Sequence, residues 1–220
     1  MQRIVRTMRV TYPDIHIPQW QGRKLRGFFA SEQPSGSFLH NHGASGRDLY
    51  RYPRVQYKVI GQSPTVLALE EGIAVLQPLV LNSRELLLGG RSYPCGRMVL
   101  AMEDAALGDA EQPCRYRFCT PWFALNQDNY RRYTRIGAED RKQLLEEILA
   151  GNILSLAKSL DVQVEGRLAA AAGLQEQPVR FKSETVLGFV GEFTVNYCLP
   201  DLIGLGKSVS RGFGAVRRIS

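Results

Sequence analysis

The 220 residues are enough for one large domain or for two domains of about 110 residues each. Hydrophobic residues make up 44% of the chain and charged residues 22%, values that exclude a wholly disordered or collagen-like protein. No apolar stretch approaches the ~18 residues of a membrane-spanning helix. The first residues contain no apolar signal region, so we expect a cytoplasmic protein without membrane contact.

The net charge of +7 is unevenly distributed. Residues 1–60 contain ten basic and three acidic residues, whereas residues 61–220 contain eighteen of each. A second basic cluster near the end of the chain consists of Lys207, Arg211, Arg217 and Arg218. Two basic segments favour binding to a polyanion, although a solvated basic face explains the charge equally well.

In the first half, the spacing of apolar residues predicts four strands and two helices. The strands are predicted over residues 3–12, 53–60, 64–69 and 96–102, and the helices over residues 20–31 and 70–83. In the second of these strands, Val55, Tyr57 and Val59 alternate with polar residues, which is the period of a half-buried strand. A long polar loop, residues 32–52, precedes it.

Residues 103–113 are acidic and rich in small residues, and we place the domain boundary there. The second half is predicted to contain a main helix over residues 138–160 and strands over residues 114–120, 178–187, 189–198 and 213–219, with a break near Gly188. The pattern predicts an α+β fold of two tandem ferredoxin-like (RRM-like) βαββαβ domains, over residues 1–108 and 113–220.

The strongest local motif is a glycine-rich segment, residues 204–214. Its glycines are Gly204, Gly206, Gly212 and Gly214, and between them lie Lys207, Ser208, Ser210 and Arg211. Glycine lets the backbone approach a ligand and present amide N–H groups to an anion, while the other four side chains add charge and hydroxyl donors. The spacing excludes a nucleotide-binding P-loop, because Asp201 stands where its first glycine belongs. A turn that only lets the last strand pack remains an alternative.

The second motif is the histidine pair His40 and His42 in the polar loop, followed by Arg47, Tyr50 and Arg51. Two imidazoles can supply a general acid and a general base near neutral pH. Metal ligation and an ordinary surface pair are the alternatives. The third histidine, His16, lies between two isoleucines, and we expect it to pack or to cap.

Tyrosines interleave with basic residues over residues 50–58, in a pattern that suits base stacking or the edge of a core. With both motifs present, the sequence resembles the CRISPR repeat-processing endoribonucleases, the sixth family of Cas proteins. Residues 204–214 are similar to that family's glycine-rich signature. Residues 39–42 and 50–58 resemble the subgroup with a histidine-containing N-terminal domain.

The resemblance implies two ferredoxin-like domains and cleavage of CRISPR precursor RNA within each repeat, with no cofactor and no metal. Attack by a 2′-hydroxyl would leave a 2′,3′-cyclic phosphate and a 5′-hydroxyl. His40 and His42 would serve as acid and base, Lys58 would stabilise charge on the phosphate, and Tyr50 would orient groups.

The glycine-rich segment would hold the RNA backbone through Gly204, Gly206, Gly212, Gly214, Lys207, Ser208, Ser210 and Arg211. Arg47 and Arg51 are further candidate RNA contacts. Other Cas effector subunits and a second copy of the chain are candidate partners besides the repeat RNA. The alternative function is a non-catalytic family member that holds guide RNA or acts as a subunit of an effector complex.

Overall fold

A computed structural model describes residues 2–32 and 52–219 and divides the chain into two compact units. The N-terminal unit comprises residues 5–105 and 209–212, and the C-terminal unit comprises residues 1–4, 106–208 and 213–220. The first four residues of the chain therefore belong to the C-terminal unit, and residues 209–212 belong to the N-terminal unit. Within the described ranges, no helix is long and apolar enough to cross a membrane.

The N-terminal unit has the ferredoxin-like order of elements. Its strands are β1 (Gln2–Thr11), β2 (Val55–Ile60), β3 (Ser63–Leu69), β4 (Glu85–Leu88), β5 (Arg91–Pro94) and the first part of β6 (Val99–Phe118). Its helices are α1 (Gly22–Ser31) and α2 (Glu71–Asn82). The main sheet has the order β2-β3-β1-β6, in which β3 pairs antiparallel with both β1 and β2. This strand order is the one that a split βαβ unit produces.

One apolar core holds the helices of this unit on its sheet. Leu25 and Phe29 of α1 and Leu76 of α2 are fully buried together with the sheet residues Val10 and Val66. The unpredicted hairpin β4–β5 contributes two further buried leucines, Leu86 and Leu88, to the same core.

The C-terminal unit repeats the fold with one helix replaced. Its elements are the second part of β6, α3 (Gln127–Tyr133), α4 (Ala138–Ser159), β7 (Ala170–Phe181), β8 (Glu184–Cys198) and β9 (Val216–Ile219). Strands β7 and β8 pair along their length, β8 pairs with β6, and β9 pairs with β6. The glycine-rich segment stands between β8 and β9, where a ferredoxin-like fold has its second helix. The predicted fold class, α+β with two tandem ferredoxin-like domains, is confirmed.

The two units divide between residues 105 and 106, within the residues 103–113 at which the domain boundary was expected, although these residues lie inside the continuous strand β6. Other local predictions differ from the structure. The break expected at Gly188 lies instead at Lys182, which has a positive φ of 58° between the paired residues Phe181 and Glu184. Gly188 is inside β8, where a Cβ atom would lie 3.1 Å from the Cβ atom of Pro121. His16, which was expected to pack or to cap, is exposed.

Candidate functional site

Five of the predicted site residues lie outside the described residues: His40, His42, Arg47, Tyr50 and Arg51. They belong to the stretch of chain that joins α1 to β2, and both of these elements are described. The roles that the sequence assigns to these five residues therefore stay predictions.

Lys58 lies on β2 and is fully buried. Its ammonium group donates a hydrogen bond to Gln56 Oε1 (2.7 Å), and Gln56 Nε2 in turn donates to the hydroxyl oxygen of Tyr52 (2.9 Å). Both faces of β2 are thus buried, which the alternating pattern did not predict. The polar side chains are tolerated in the interior because they hydrogen-bond to one another.

Tyr57 points to the opposite face of β2 and belongs to the core. Its ring stacks on Phe29 of α1, with 5.7 Å between the ring centroids. Of the two interpretations of the tyrosine pattern, base stacking and the edge of a core, the second therefore applies to Tyr57. The hydroxyl group of Tyr57 is buried and has no hydrogen-bond partner among the residues that the structure describes. Burial raises the pKa of Tyr57 well above its ordinary value.

Backbone hydrogen bonds hold together the part of the glycine-rich segment that belongs to the C-terminal unit. The amide of Leu205 donates to the carbonyl of Gly214 (2.9 Å), and the amide of Gly214 donates to the carbonyl of Pro121 (2.9 Å). Gly214 has a φ of 67°, and a Cβ atom there would collide with the carbonyl oxygen of Leu205. At Gly206, a Cβ atom would lie 2.5 Å from the indole nitrogen of Trp122.

The amides of this segment are only partly available to a ligand. Those of Lys207, Gly212 and Gly214 donate to carbonyl groups inside the protein. These three amides already have acceptors within the protein, so the prediction that the segment holds an RNA backbone through its amides stays a prediction for the other amides. In the part of the chain that the structure describes, no hydrogen bond uses the amides of Gly206 or Ser208. The Lys207 side chain is exposed.

The part of the segment in the N-terminal unit is a 3-10 turn, Val209–Arg211, which packs against α1 and β2. Ser210 lies within this turn and is half-buried. Gly212 follows with a φ of 100°, and a Cβ atom there would lie 2.9 Å from the carbonyl oxygen of Tyr57. The glycine is thus required by the close approach of two backbones.

The turn brings Arg211 close to Arg26 of α1, a residue that the sequence analysis does not single out. Partial burial, and then the positive charge of Arg211, lower the pKa of Arg26, whereas Tyr57 acts in the opposite direction. Two neighbouring guanidinium groups attract an anion such as phosphate, whose oxygens accept charge-assisted hydrogen bonds. The repeated basic residues of α1 were the only sequence signal for Arg26.

Comparisons with known proteins agree along the whole chain. The Cas6b N-terminal domain model matches residues 3–105, and the Cas6b C-terminal domain model matches residues 108–219. A crystal structure of Cas6b superposes with a TM-score of 0.93 at 34% identity, and one described as the CRISPR RNA processing endoribonuclease Cas6b superposes with a TM-score of 0.81 at 32% identity. Both matches cover 100% of each chain.

A solved structure of lower identity shares the fold: a type IV Cas6 crRNA endonuclease, Csf5, is 13% identical over 99% of this chain and 100% of that one, with a TM-score of 0.64. In sequence, an uncharacterized protein of Methanocaldococcus jannaschii is 42% identical over 144 residues, which are 64% of this chain and 97% of that protein. Because the two domain models together match almost the entire sequence, the chain belongs to the Cas6b family.

Proposed function

We propose that the protein is an endoribonuclease that processes CRISPR RNA by cutting the precursor within its repeats. The observation that carries this proposal is the match of both Cas6b domain models together with the full-length similarity to a Cas6b described as a CRISPR RNA processing endoribonuclease. The excess of basic residues in residues 1–60 agrees with an RNA substrate.

The proposed reaction is a transfer within the RNA that requires neither water as nucleophile nor a metal ion. One imidazole of the pair His40 and His42 removes the proton of the 2′-hydroxyl next to the scissile bond. The 2′-oxygen bonds to phosphorus, and the bond from phosphorus to the 5′-oxygen breaks. The other imidazole donates a proton to that oxygen, so the products are a 2′,3′-cyclic phosphate and a 5′-hydroxyl.

The pair Arg26 and Arg211 is the proposed contact for a backbone phosphate in the N-terminal unit. A phosphate there would offset the repulsion between the two guanidinium groups. The turn that carries Arg211 packs on α1 and β2, the two elements that the histidine-containing stretch connects. This connection supports a shared substrate for Arg211 and the histidines.

In the C-terminal unit, the proposed contacts are the exposed Lys207, the hydroxyl of Ser208 and the amides of Gly206 and Ser208. The close packing of Gly204, Gly206 and Gly214 would position these groups. Ser210, Arg47 and Arg51 remain proposed RNA contacts, and Tyr50 remains a proposed orienting group. Lys58 is hydrogen-bonded in the interior, so we propose a positioning role for it in place of direct contact with phosphate.

The test is incubation of the protein with a CRISPR repeat RNA in EDTA. We expect cleavage that leaves a 2′,3′-cyclic phosphate, and no cleavage when the nucleotide before the cut is a 2′-deoxynucleotide. The double variant His40→Ala, His42→Ala should lose cleavage but retain RNA binding. His16→Ala is the matched control, because His16 is exposed and lies outside this stretch.

Each outcome separates the hypotheses. A double variant that cuts at the rate of the wild type would refute the assignment of the two histidines. Wild-type protein that binds the repeat tightly but never cuts it would refute the enzyme and support the non-catalytic RNA-binding member. Cleavage that disappears in EDTA and returns with added Mg²⁺ would refute the metal-independent reaction.

A further inference from the structure

Three arginines lie on one exposed face of the sheet of the C-terminal unit. Arg115 and Arg117 are two residues apart on β6, and Arg217 of β9 pairs directly with Arg117 across the ladder. The two positions on β6 therefore share a face with Arg217. The side chains of Arg115 and Arg117 are 56% and 61% exposed, and Arg217 is exposed as well. We name this surface the arginine face.

A single carboxylate stands among these arginines. Glu192 of β8 pairs with Arg117 in the ladder and accepts hydrogen bonds from Arg115 Nε (3.1 Å) and Arg117 Nε (3.0 Å). These hydrogen bonds, the one from Arg117 first, lower the pKa of Glu192, so the carboxylate stays charged. Within residues 2–32 and 52–219, Arg217 has no carboxylate at ion-pair distance. Three positive charges and one negative charge leave an excess of two.

The direct opposition of Arg117 and Arg217 is unfavourable by itself, because like charges across a ladder repel each other. Two guanidinium groups held side by side by backbone pairing match the geometry of an anionic ligand with several oxygen atoms. The arginine face is therefore complementary in charge to a phosphate backbone.

A shallow groove of about 360 Å³ adjoins Arg115 on this face. Small residues, Ala171, Gly173 and Gly191, leave the groove open. Thr194 and Glu192, the carboxylate that pairs with Arg115, line it as well. No aromatic side chain is exposed there, because Phe193, the one ring that lines the groove, is only 2% exposed. An RRM-like sheet that reads bases uses exposed rings for stacking, which this groove lacks.

We infer that the arginine face binds the sugar–phosphate backbone of single-stranded RNA without sequence preference. The inference rests on the proposed function, which supplies the RNA. Arg217 contacts phosphate oxygens, and Arg117 does so with the part of its guanidinium group that does not face Glu192, while both Arg115 and Arg117 stay paired with Glu192. The groove over Gly173, where these two arginines balance the charge of Glu192, receives the riboses of the strand.

The test measures binding of fluorescein-labelled 15-nucleotide oligouridylate and oligoadenylate by fluorescence anisotropy in 50–200 mM KCl. The double variant Arg117→Ala, Arg217→Ala should weaken binding of both probes by about tenfold. It should also reduce the slope of log affinity against log salt by about 1.4, since each contact with a single strand contributes about 0.7. The control Arg131→Ala removes an arginine of α3 that is 69% exposed, and should change affinity less than twofold.

A second variant fills the groove and leaves every charge in place. A Cβ atom at Gly173 would lie 3.9 Å from the carbonyl oxygen of Glu192, an ordinary contact, so Gly173→Leu should fold. We expect it to weaken binding of both probes at least threefold. If circular dichroism shows it unfolded, the arginine variants, which alter only exposed side chains, decide the question.

The inference is overturned if the double arginine variant binds like the wild type, if Arg131→Ala weakens binding equally, or if only one of the two probes is affected. Polyglutamate that binds as tightly and shows the same loss would assign the face to an acidic protein partner instead. Cleavage of repeat RNA is measured with the same preparations. If the wild type cleaves the repeat and the double variant binds both probes as the wild type does, only the inference about the arginine face is refuted. If the wild type does not cleave the repeat, the proposed function is refuted.

Discussion

Replacement of Gly214 by alanine tests whether the glycine-rich segment is built by close packing. Gly214 has a φ of 67°, a conformation that costs an alanine about 1–2 kcal/mol. The new Cβ atom would collide with the carbonyl oxygen of Leu205. Relief of that collision would disturb the hydrogen bonds from Leu205 to Gly214 and from Gly214 to Pro121, each contributing about 1 kcal/mol. The free energy of unfolding should therefore fall by about 3–4 kcal/mol.

The assay is urea unfolding followed by tryptophan fluorescence. The chain contains two tryptophans, and Trp122 is fully buried in the same unit as Gly214. A Trp20→Phe background, at a half-exposed position of the other unit, leaves Trp122 as the single reporter. Equilibrium unfolding curves of the parent and of Gly214→Ala then give the change in the free energy of unfolding of the C-terminal unit.

Gly151→Ala is the matched control. Gly151 lies inside α4, and a Cβ atom there would meet nothing within 4 Å. Alanine should stabilise the helix by about 0.5–1 kcal/mol, since glycine is a poor helix former. If Gly214→Ala unfolds within 0.5 kcal/mol of the parent while the control behaves as expected, the close approach of Leu205 and Gly214 is refuted.

Two further predictions concern buried and paired charges. Lys58→Met should lower the free energy of unfolding by about 1–3 kcal/mol, because it leaves Gln56 Oε1 without its donor. An unchanged free energy of unfolding in urea would show that the ammonium group of Lys58 is not buried against Gln56. Hydrogen bonds from Arg117 and Arg115 lower the pKa of Glu192 in the folded protein. The ionised Glu192 therefore stabilises the fold above the unfolded pKa of about 4.3. This contribution is lost as the pH falls through the lower pKa of the folded protein. Carboxyl NMR titration should show this low pKa and its rise in Arg117→Ala; a value of 4.3 or higher in the wild type contradicts the pairing.

Local patterns in the sequence were sufficient to predict most elements of the fold. The stripe of Leu145, Leu149 and Ile153 predicted the main helix because helical periodicity is a property of neighbouring residues. Alternation predicted strands β1 and β2 for the same reason, and an apolar run after a turn signal predicted β3. The glycine spacing also marked a special backbone, and the family resemblance that it supported is confirmed. The histidine pair, which lies outside the described residues, stays a prediction.

Only the tertiary structure decided which polar groups are buried and which charges meet. Lys58 is indistinguishable in sequence from a solvated lysine, and its burial depends on what covers β2. Arg26 and Arg211 are far apart in the chain, as are Arg117 and Arg217, and their proximity follows from packing and strand register. The partners of the glycine-segment amides, such as the Pro121 carbonyl, likewise come from distant residues. Burial, register and hydrogen-bond pairing are set by the whole fold, so no local pattern encodes them.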